Sequence, residues 1–270
     1  MSDITAPALV SAPATALART VHGAGPGLLL AHGAGGSIAA NYGPILGRLS
    51  AGHRVVGVDF PGSGDTPRST TSLDLDELAD QLVAAASAEG LETFAVVGYS
   101  LGTAVAIRAA TRHPERITAL VLTAPFARPN SRLRLNAEHW RDLYASGAHA
   151  PLAQFLVPLA LGASALEAVP GDDLDALLEG TARTLPSGSA EHTDLVTRVD
   201  VRDDLSRITV PTLVISTTED LLVTPDLHRE VADALPGAEL VEIPTGHLPF
   251  AERPDEWLRH ITTFLDRAAR

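Results

Sequence analysis

The chain has 270 residues, above the usual size of one domain but within reach of a single α/β domain, so one core with at most one sizeable insertion is expected. Hydrophobic residues make up 45% and charged residues 20%, with 22 Gly and 19 Pro spread along the length, which excludes disordered and fibrous classes. All 20 basic residues are arginine against 33 acidic ones, a net charge of -13; an internal lysine Schiff base is excluded, and an acidic surface disfavours nucleic-acid and membrane-surface partners.

The absence of cysteine removes disulfides, thiolate nucleophiles, iron–sulfur clusters and thiolate zinc sites together. Residues 1–18 have an acid at Asp3, no early positive charge and no continuous apolar stretch, so they read as a loose tail, not a signal peptide, and the protein as cytoplasmic. No apolar run approaches the roughly eighteen residues needed to span a bilayer.

From there the chain alternates. Strand-like runs, apolar and rich in β-branched residues, lie at 27–33, 53–60, 93–100, 116–125, 211–220 and 238–244. Such runs suit strands buried on both faces, as a parallel sheet requires. Helical spacing lies between them at 38–49, 73–89, 101–113, 225–235 and 256–269. The order predicts an α/β fold with a mostly parallel central sheet and helices on both faces. The alternation stops between about 127 and 200, where three or four helices and no strand are expected. A helical cap over 127–200, inserted into a core of 19–126 and 201–270, is the predicted organisation. Pro129-Asn130 and the run Asp200 to Asp204 mark its plausible boundaries.

The string VVGYSLGTAVAIRAA carries a G-x-S-x-G motif, Gly98, Ser100 and Gly102, between an apolar strand and an Ala-rich helix. A nucleophile on so sharp a turn needs a strained backbone, and the flanking glycines leave room where side chains would collide. The same turn puts the Leu101 N–H at a helix N-terminus, where it can stabilise an oxyanion. A serine hydroxyl also needs a neutral imidazole, and the imidazole an acceptor that fixes its tautomer. His247 follows a strand in the loop composition PTGHLP, and Asp220 sits just past PTLVIS, so both fall at carboxyl ends of strands. Glu219 adjoins Asp220 and is the competing acid. The other histidines, including His192 and His228, are expected at the surface, and His32 is expected to be a hydrogen-bonded structural residue.

HGAGGS (32–37), DFPGSGDT (59–66), GYSLG (98–102), Asp220 and His247 together resemble the α/β-hydrolase superfamily, over about residues 19 to 268. The nearest likeness is to small soluble esterases, C–C bond hydrolases and perhydrolases with a helical lid. The resemblance implies a Ser100, Asp220, His247 triad, with the second oxyanion donor after the His-Gly pair. Ala34 is the expected donor and Gly35 the other candidate. Asp59 reads as a turn residue, and Asp203 and Asp204 as structural acids with an arginine partner. Tyr99, Phe126, Trp140, Phe155 and Leu248 are candidate substrate-pocket residues.

The expected activity is hydrolysis of a small carboxylic ester or related acyl compound through an acyl-enzyme on Ser100. Same-fold acyl transfer, thioester cleavage, perhydrolysis and C–C hydrolysis stay open, as does a non-hydrolytic binder or rearranging enzyme acting on a natural product. No cofactor and no metal are expected. The expected partner is a small acyl substrate, with a monomer and a homodimer both open.

Overall fold

Short apolar runs assemble into a seven-stranded sheet in the computed structural model, which describes residues 17–270. In chain order the strands are β1 (Arg19–His22), β2 (Gly27–Ala31), β3 (Arg54–Val58), β4 (Phe94–Tyr99), β5 (Ile117–Thr123), β6 (Thr212–Thr217) and β7 (Glu239–Ile243). In space the order is β1-β3-β2-β4-β5-β6-β7. All neighbours pair in parallel except β1, which runs antiparallel to β3 at the edge with Arg19 opposite Val58. Strand β1 was not expected. Its four residues carry one aliphatic side chain, too little pattern to read, and they gain strand structure only from the β3 edge beside them.

Alternation along each buried strand feeds two cores. In β2, Leu29 joins one apolar cluster while Leu28 and Leu30 join the other, and all three are fully buried. Helices α2 (Leu75–Ala88) and α3 (Leu101–Arg112) cover the first face, together with α10 (Pro225–Ala234). On the second face lie α1 (Ile38–Leu49) and α12 (Pro254–Ala268). Each fully buried leucine contributes about 1.5–3 kcal/mol against its exposed state, which pins the register of the sheet edge that carries the site. Local chemistry sets the helix starts: Asp74 accepts the Asp76 and Glu77 N–H groups at the head of α2, and Ser37 accepts the Ala40 N–H at the head of α1.

Between β5 and β6 the chain builds α4 (Ser131–Ala145), α5 (His149–Ala160), α6 (Ala163–Glu167), α7 (Gly171–Thr184), α8 (Ser189–Arg198) and α9 (Arg202–Leu205). Over 127–200 that is five helices where three or four were expected. The extra one, α6, has five residues, too short for a helical period to show in the sequence, and α9, of four, lies past the expected boundary. Helix α4 packs on α8 and α5 on α7, and a separate apolar cluster of Trp140, Leu152, Leu156 and Leu222 joins this layer to the core. A last short helix, α11 (Pro249–Glu252), precedes α12.

The expected N-terminal tail lies, but for its last two residues, outside the described residues. Leu17 is buried, and the Ala18 N–H donates to Thr66 Oγ1 at 2.8 Å. Among the described residues no helix is long and apolar enough to cross a membrane.

Candidate active site

Ser100 stands between β4 and α3 with φ 52° and ψ -120°, a conformation that a non-glycine residue holds only at a cost of about 1–3 kcal/mol. Its neighbours hold it there. The Ser100 N–H donates to Thr123 O at 2.9 Å, and Ser100 O accepts from both the N–H and the hydroxyl of Thr103. A Cβ on Gly102 would strike the carbonyl oxygen of Ala31, and one on Gly98 would lie 2.8 Å from the Thr103 Cα. Both motif glycines are therefore required by close backbone approach.

His247 and Asp220 reach the same sheet edge. His247 Nε2 lies 3.0 Å from Ser100 Oγ, and its Nδ1 lies 2.6 Å from Asp220 Oδ2. The Asp220 carboxylate is almost fully buried and saturated with donors: Oδ1 accepts the Leu222 and Val223 N–H groups at 2.9 Å each, and Oδ2 accepts the Thr217 hydroxyl at 2.9 Å. These bonds fix the carboxylate in place and aim one oxygen at the imidazole. His247 is fixed from behind, since its N–H donates to Ala160 O at 2.6 Å and its carbonyl accepts the Tyr99 hydroxyl at 2.7 Å. Gly246 is needed for this approach, because a Cβ there would strike the Gly162 N and the Ala160 O.

The loop after β2 faces Ser100. The Gly33 N–H donates to Asn41 Oδ1 at 3.0 Å, the Gly36 N–H to Gly33 O at 3.2 Å, and the Gly35 N–H to His192 Nδ1 at 3.2 Å. Among the described residues, the Ala34 N–H and the Leu101 N–H have no acceptor of their own. Gly35 thus differs from the other candidate donor in that its N–H is already spent. Such a pair of free amides beside a hydroxyl, an imidazole and a carboxylate can stabilise negative charge on an oxygen while the imidazole moves a proton.

These groups open onto a cavity of about 300 Å³ bordered by the β2 loop, the His247 loop and the inserted helices. Tyr99, Phe126, Trp140 and Leu248 line it, and among the described residues His247 is the only ionisable side chain on its wall besides the Tyr99 phenol, whose titration burial pushes well up. Phe155 does not border the cavity. Its ring packs edge-on against His139 at 4.8 Å, one of the many placements that helical spacing alone leaves open.

Two histidines expected at the surface are fully buried. His192 sits in the network described above, and His228 lies with Nδ1 3.1 Å from Ser216 Oγ and Nε2 3.9 Å from Asp220 Oδ2. Burial lowers both to about 4 and lowers His32 to about 3, so all three rings are neutral near pH 7. For His192 and His228, positions in ordinary amphipathic helix patterns gave no sign of this. His32 spends both nitrogens on backbone, at Gly33 O and the Phe60 N–H.

The carboxylates separate clearly by contact. Glu219 has no bond to His247 and stands with Glu252 beside Gly162, where burial raises the Glu252 carboxyl. Asp59 accepts the Ile38 N–H at 2.7 Å at the head of α1. Asp204 pairs with Arg108 at 3.0 Å. Asn41, Thr217 and His192 are the supporting residues that motif reading passed over. Among the described residues no group of three or more His, Asp or Glu could hold a metal ion.

This chain matches the alpha/beta hydrolase fold family over residues 26–254, and it belongs to that family. It is 32% identical over 247 residues to the pyrrolizixenacetamide deacetylase of Xenorhabdus hominickii, covering 91% of this chain and 92% of that one. It is 30% identical over 241 residues to the pimeloyl-acyl-carrier-protein methyl ester esterase of Neisseria meningitidis, covering 82% of this chain and 71% of that one. Among solved structures, MGS-M2, an alpha/beta hydrolase from a Medee basin deep-sea metagenome library, superposes with a TM-score of 0.85 at 21% identity, covering 93% of this chain and 94% of that one, a likeness of fold alone.

Proposed function

We propose that the chain is a serine hydrolase that cleaves a small, uncharged, largely apolar carboxylic ester or related acyl compound. The observation that carries this reading is the continuous line from Asp220 through His247 to Ser100, at 2.6 and 3.0 Å, ending on the wall of a largely apolar cavity. Ser100 Oγ attacks the acyl carbon and its proton passes to His247 Nε2. The Ala34 and Leu101 N–H groups hold the resulting oxyanion, and the imidazolium returns its proton to the leaving group as the scissile bond breaks. Water then repeats the sequence on the acyl-enzyme, giving its proton to His247 and releasing the acid from Ser100. Asp220 keeps the proton of the resting imidazole on Nδ1 and offsets its charge when Nε2 is protonated.

The substrate class follows from the wall. Among the described residues no arginine, aspartate or glutamate lines the cavity, so a charged acyl group would lose its hydration with nothing there to replace it. The deacetylase relative supports a short acyl group. The inserted helices supply Leu133, Trp140 and Leu156 to the wall and act as the cap that excludes water. Turnover of p-nitrophenyl acetate, lost in Ser100→Ala, tests the proposal. No turnover above background in the folded wild-type protein would contradict it.

A further inference from the structure

His192 belongs to α8 among the inserted helices, yet its ring is fully buried against the β2 loop. A backbone N–H can only donate and a carbonyl can only accept, so its two partners settle the tautomer. Nδ1 carries the lone pair that receives the Gly35 N–H at 3.2 Å, and Nε2 carries the proton given to Pro61 O at 2.9 Å. Phe60 meets the ring edge-on at 6.2 Å and His32 flanks it at 5.9 Å. The start of α8 is seated just as closely: the Gly188 N–H donates to Gly62 O at 3.1 Å, a Cβ on Gly62 would strike the Gly188 backbone, and one on Gly188 would strike the Pro61 carbonyl oxygen. The ring is thus held from the core side and from its own helix.

Gly35 has a φ of 66° and directly follows Ala34. The Gly35 N–H belongs to the Ala34–Gly35 peptide and the Ala34 N–H to the peptide before it, so the partner on Gly35 anchors the chain just after Ala34, the Asn41 bond to the Gly33 N–H anchors it just before, and the Ala34 N–H is left as the free donor between them. We propose that His192 is a positioning residue for the oxyanion hole, anchoring the loop at the Ala34–Gly35 peptide so that the Ala34 N–H, in the adjoining Gly33–Ala34 peptide, faces the substrate oxygen. Because the ring arrives from the inserted helices, the donor geometry exists only while those helices are seated on the core. His192 does not border the cavity, so it acts through the loop and not on substrate. The inference rests on the reading of Ser100 as nucleophile and Ala34 as donor.

Three full-length variants separate loop positioning from general packing. His192→Asn keeps an oxygen near the place of Nδ1 and can still accept from Gly35. In His192→Gln the side chain can reach Pro61 O but leaves Gly35 without an acceptor, and His192→Phe fills the volume and bonds to neither. Loss of a whole oxyanion donor costs on the order of 100- to 1000-fold in kcat, and a misplaced one less. The expected result on p-nitrophenyl acetate is a fall in kcat of roughly 10- to 100-fold in the Gln and Phe variants with KM within about threefold, and recovery in Asn to within about fivefold. Amide hydrogen exchange across 33–36 reads the loop without turnover: it should quicken in Gln and Phe and stay near wild type in Asn. Equal losses in Asn and Gln, an unchanged kcat in Phe, or unchanged exchange in Phe would overturn the inference. A wild-type protein without esterase activity would instead sink the proposed hydrolase, and the exchange measurement would then decide the role of His192 alone.

Discussion

Lowering the pH from about 7.5 to about 5 should destabilise this protein through its buried histidines. His192 and His228 are held near 4 and His32 near 3 by burial, against 6.5 for a free imidazole. The folded state therefore binds fewer protons than the unfolded chain below pH 6.5. Stability falls as the pH drops from 6.5 and levels off only below the folded values near 4 and 3. At pH 5 each ring has lost about 2 kcal/mol, roughly 6 kcal/mol for the three, which is comparable to the whole stability of about 5–15 kcal/mol. Asp59 and Glu252, which burial raises, act in the opposite sense, since each gains a proton more readily in the folded chain as the pH falls. Asp80 and Asp200, lowered by Arg112 and Arg202, lose their contributions only below their ordinary carboxylate range and lie outside the window. Urea midpoints by circular dichroism at the two pH values measure the drop. With a slope of about 3 kcal/mol/M, a full 6 kcal/mol moves the midpoint by ~2 M. His228→Leu should make the pH-dependent drop smaller by about 2 kcal/mol. Equal midpoints at the two pH values, or an unchanged drop in His228→Leu, would refute the reasoning.

Other consequences test the site piece by piece. Asp220→Asn should lower kcat by about three to four orders of magnitude with the fold intact, because the wrong imidazole tautomer is then held, whereas Glu219→Gln should change it less than about threefold. Steady-state assays on one ester decide between the two acids, and the opposite ranking would exchange their roles. Trp140→Ala enlarges the cavity and should shift preference toward longer acyl chains across an ester series, while Phe155→Ala should cost stability in a thermal melt and leave that preference alone. Gly102→Ala should fail to give folded, soluble protein, because its Cβ has no room against Ala31; a folded, active variant would contradict the close packing at the elbow.

The sheet was legible where strands are buried on both faces, since β2 through β6 show as runs of aliphatic residues and α1 is read with the bounds it has. β1 was not, because an edge strand of four residues owes its structure to β3 and not to its own composition. Ser100, Asp220 and His247 stood out because each sits at a strand end among turn-forming residues, and the structure brings all three within hydrogen-bond reach. What surrounds them did not stand out. Gly35 and His192 are 157 positions apart, and no local pattern links them. The same gap misplaced Phe155, whose helix face is settled by how α4 and α5 pack, and put His192 and His228 at the surface. Helical spacing says which residues share a face and leaves open what that face meets.

The proposed mechanism stands or falls on whether Ser100 becomes acylated. An activated phosphonate mimics the tetrahedral intermediate and should react only where base and oxyanion donors surround the nucleophile. Because the chain has no lysine, trypsin cuts only after arginine, and the labelled serine should appear in the single peptide 69–108. Mass spectrometry of the treated protein should find one adduct there, absent in Ser100→Ala. An adduct on any other residue, or no adduct in a preparation that turns over ester, would remove Ser100 as the nucleophile.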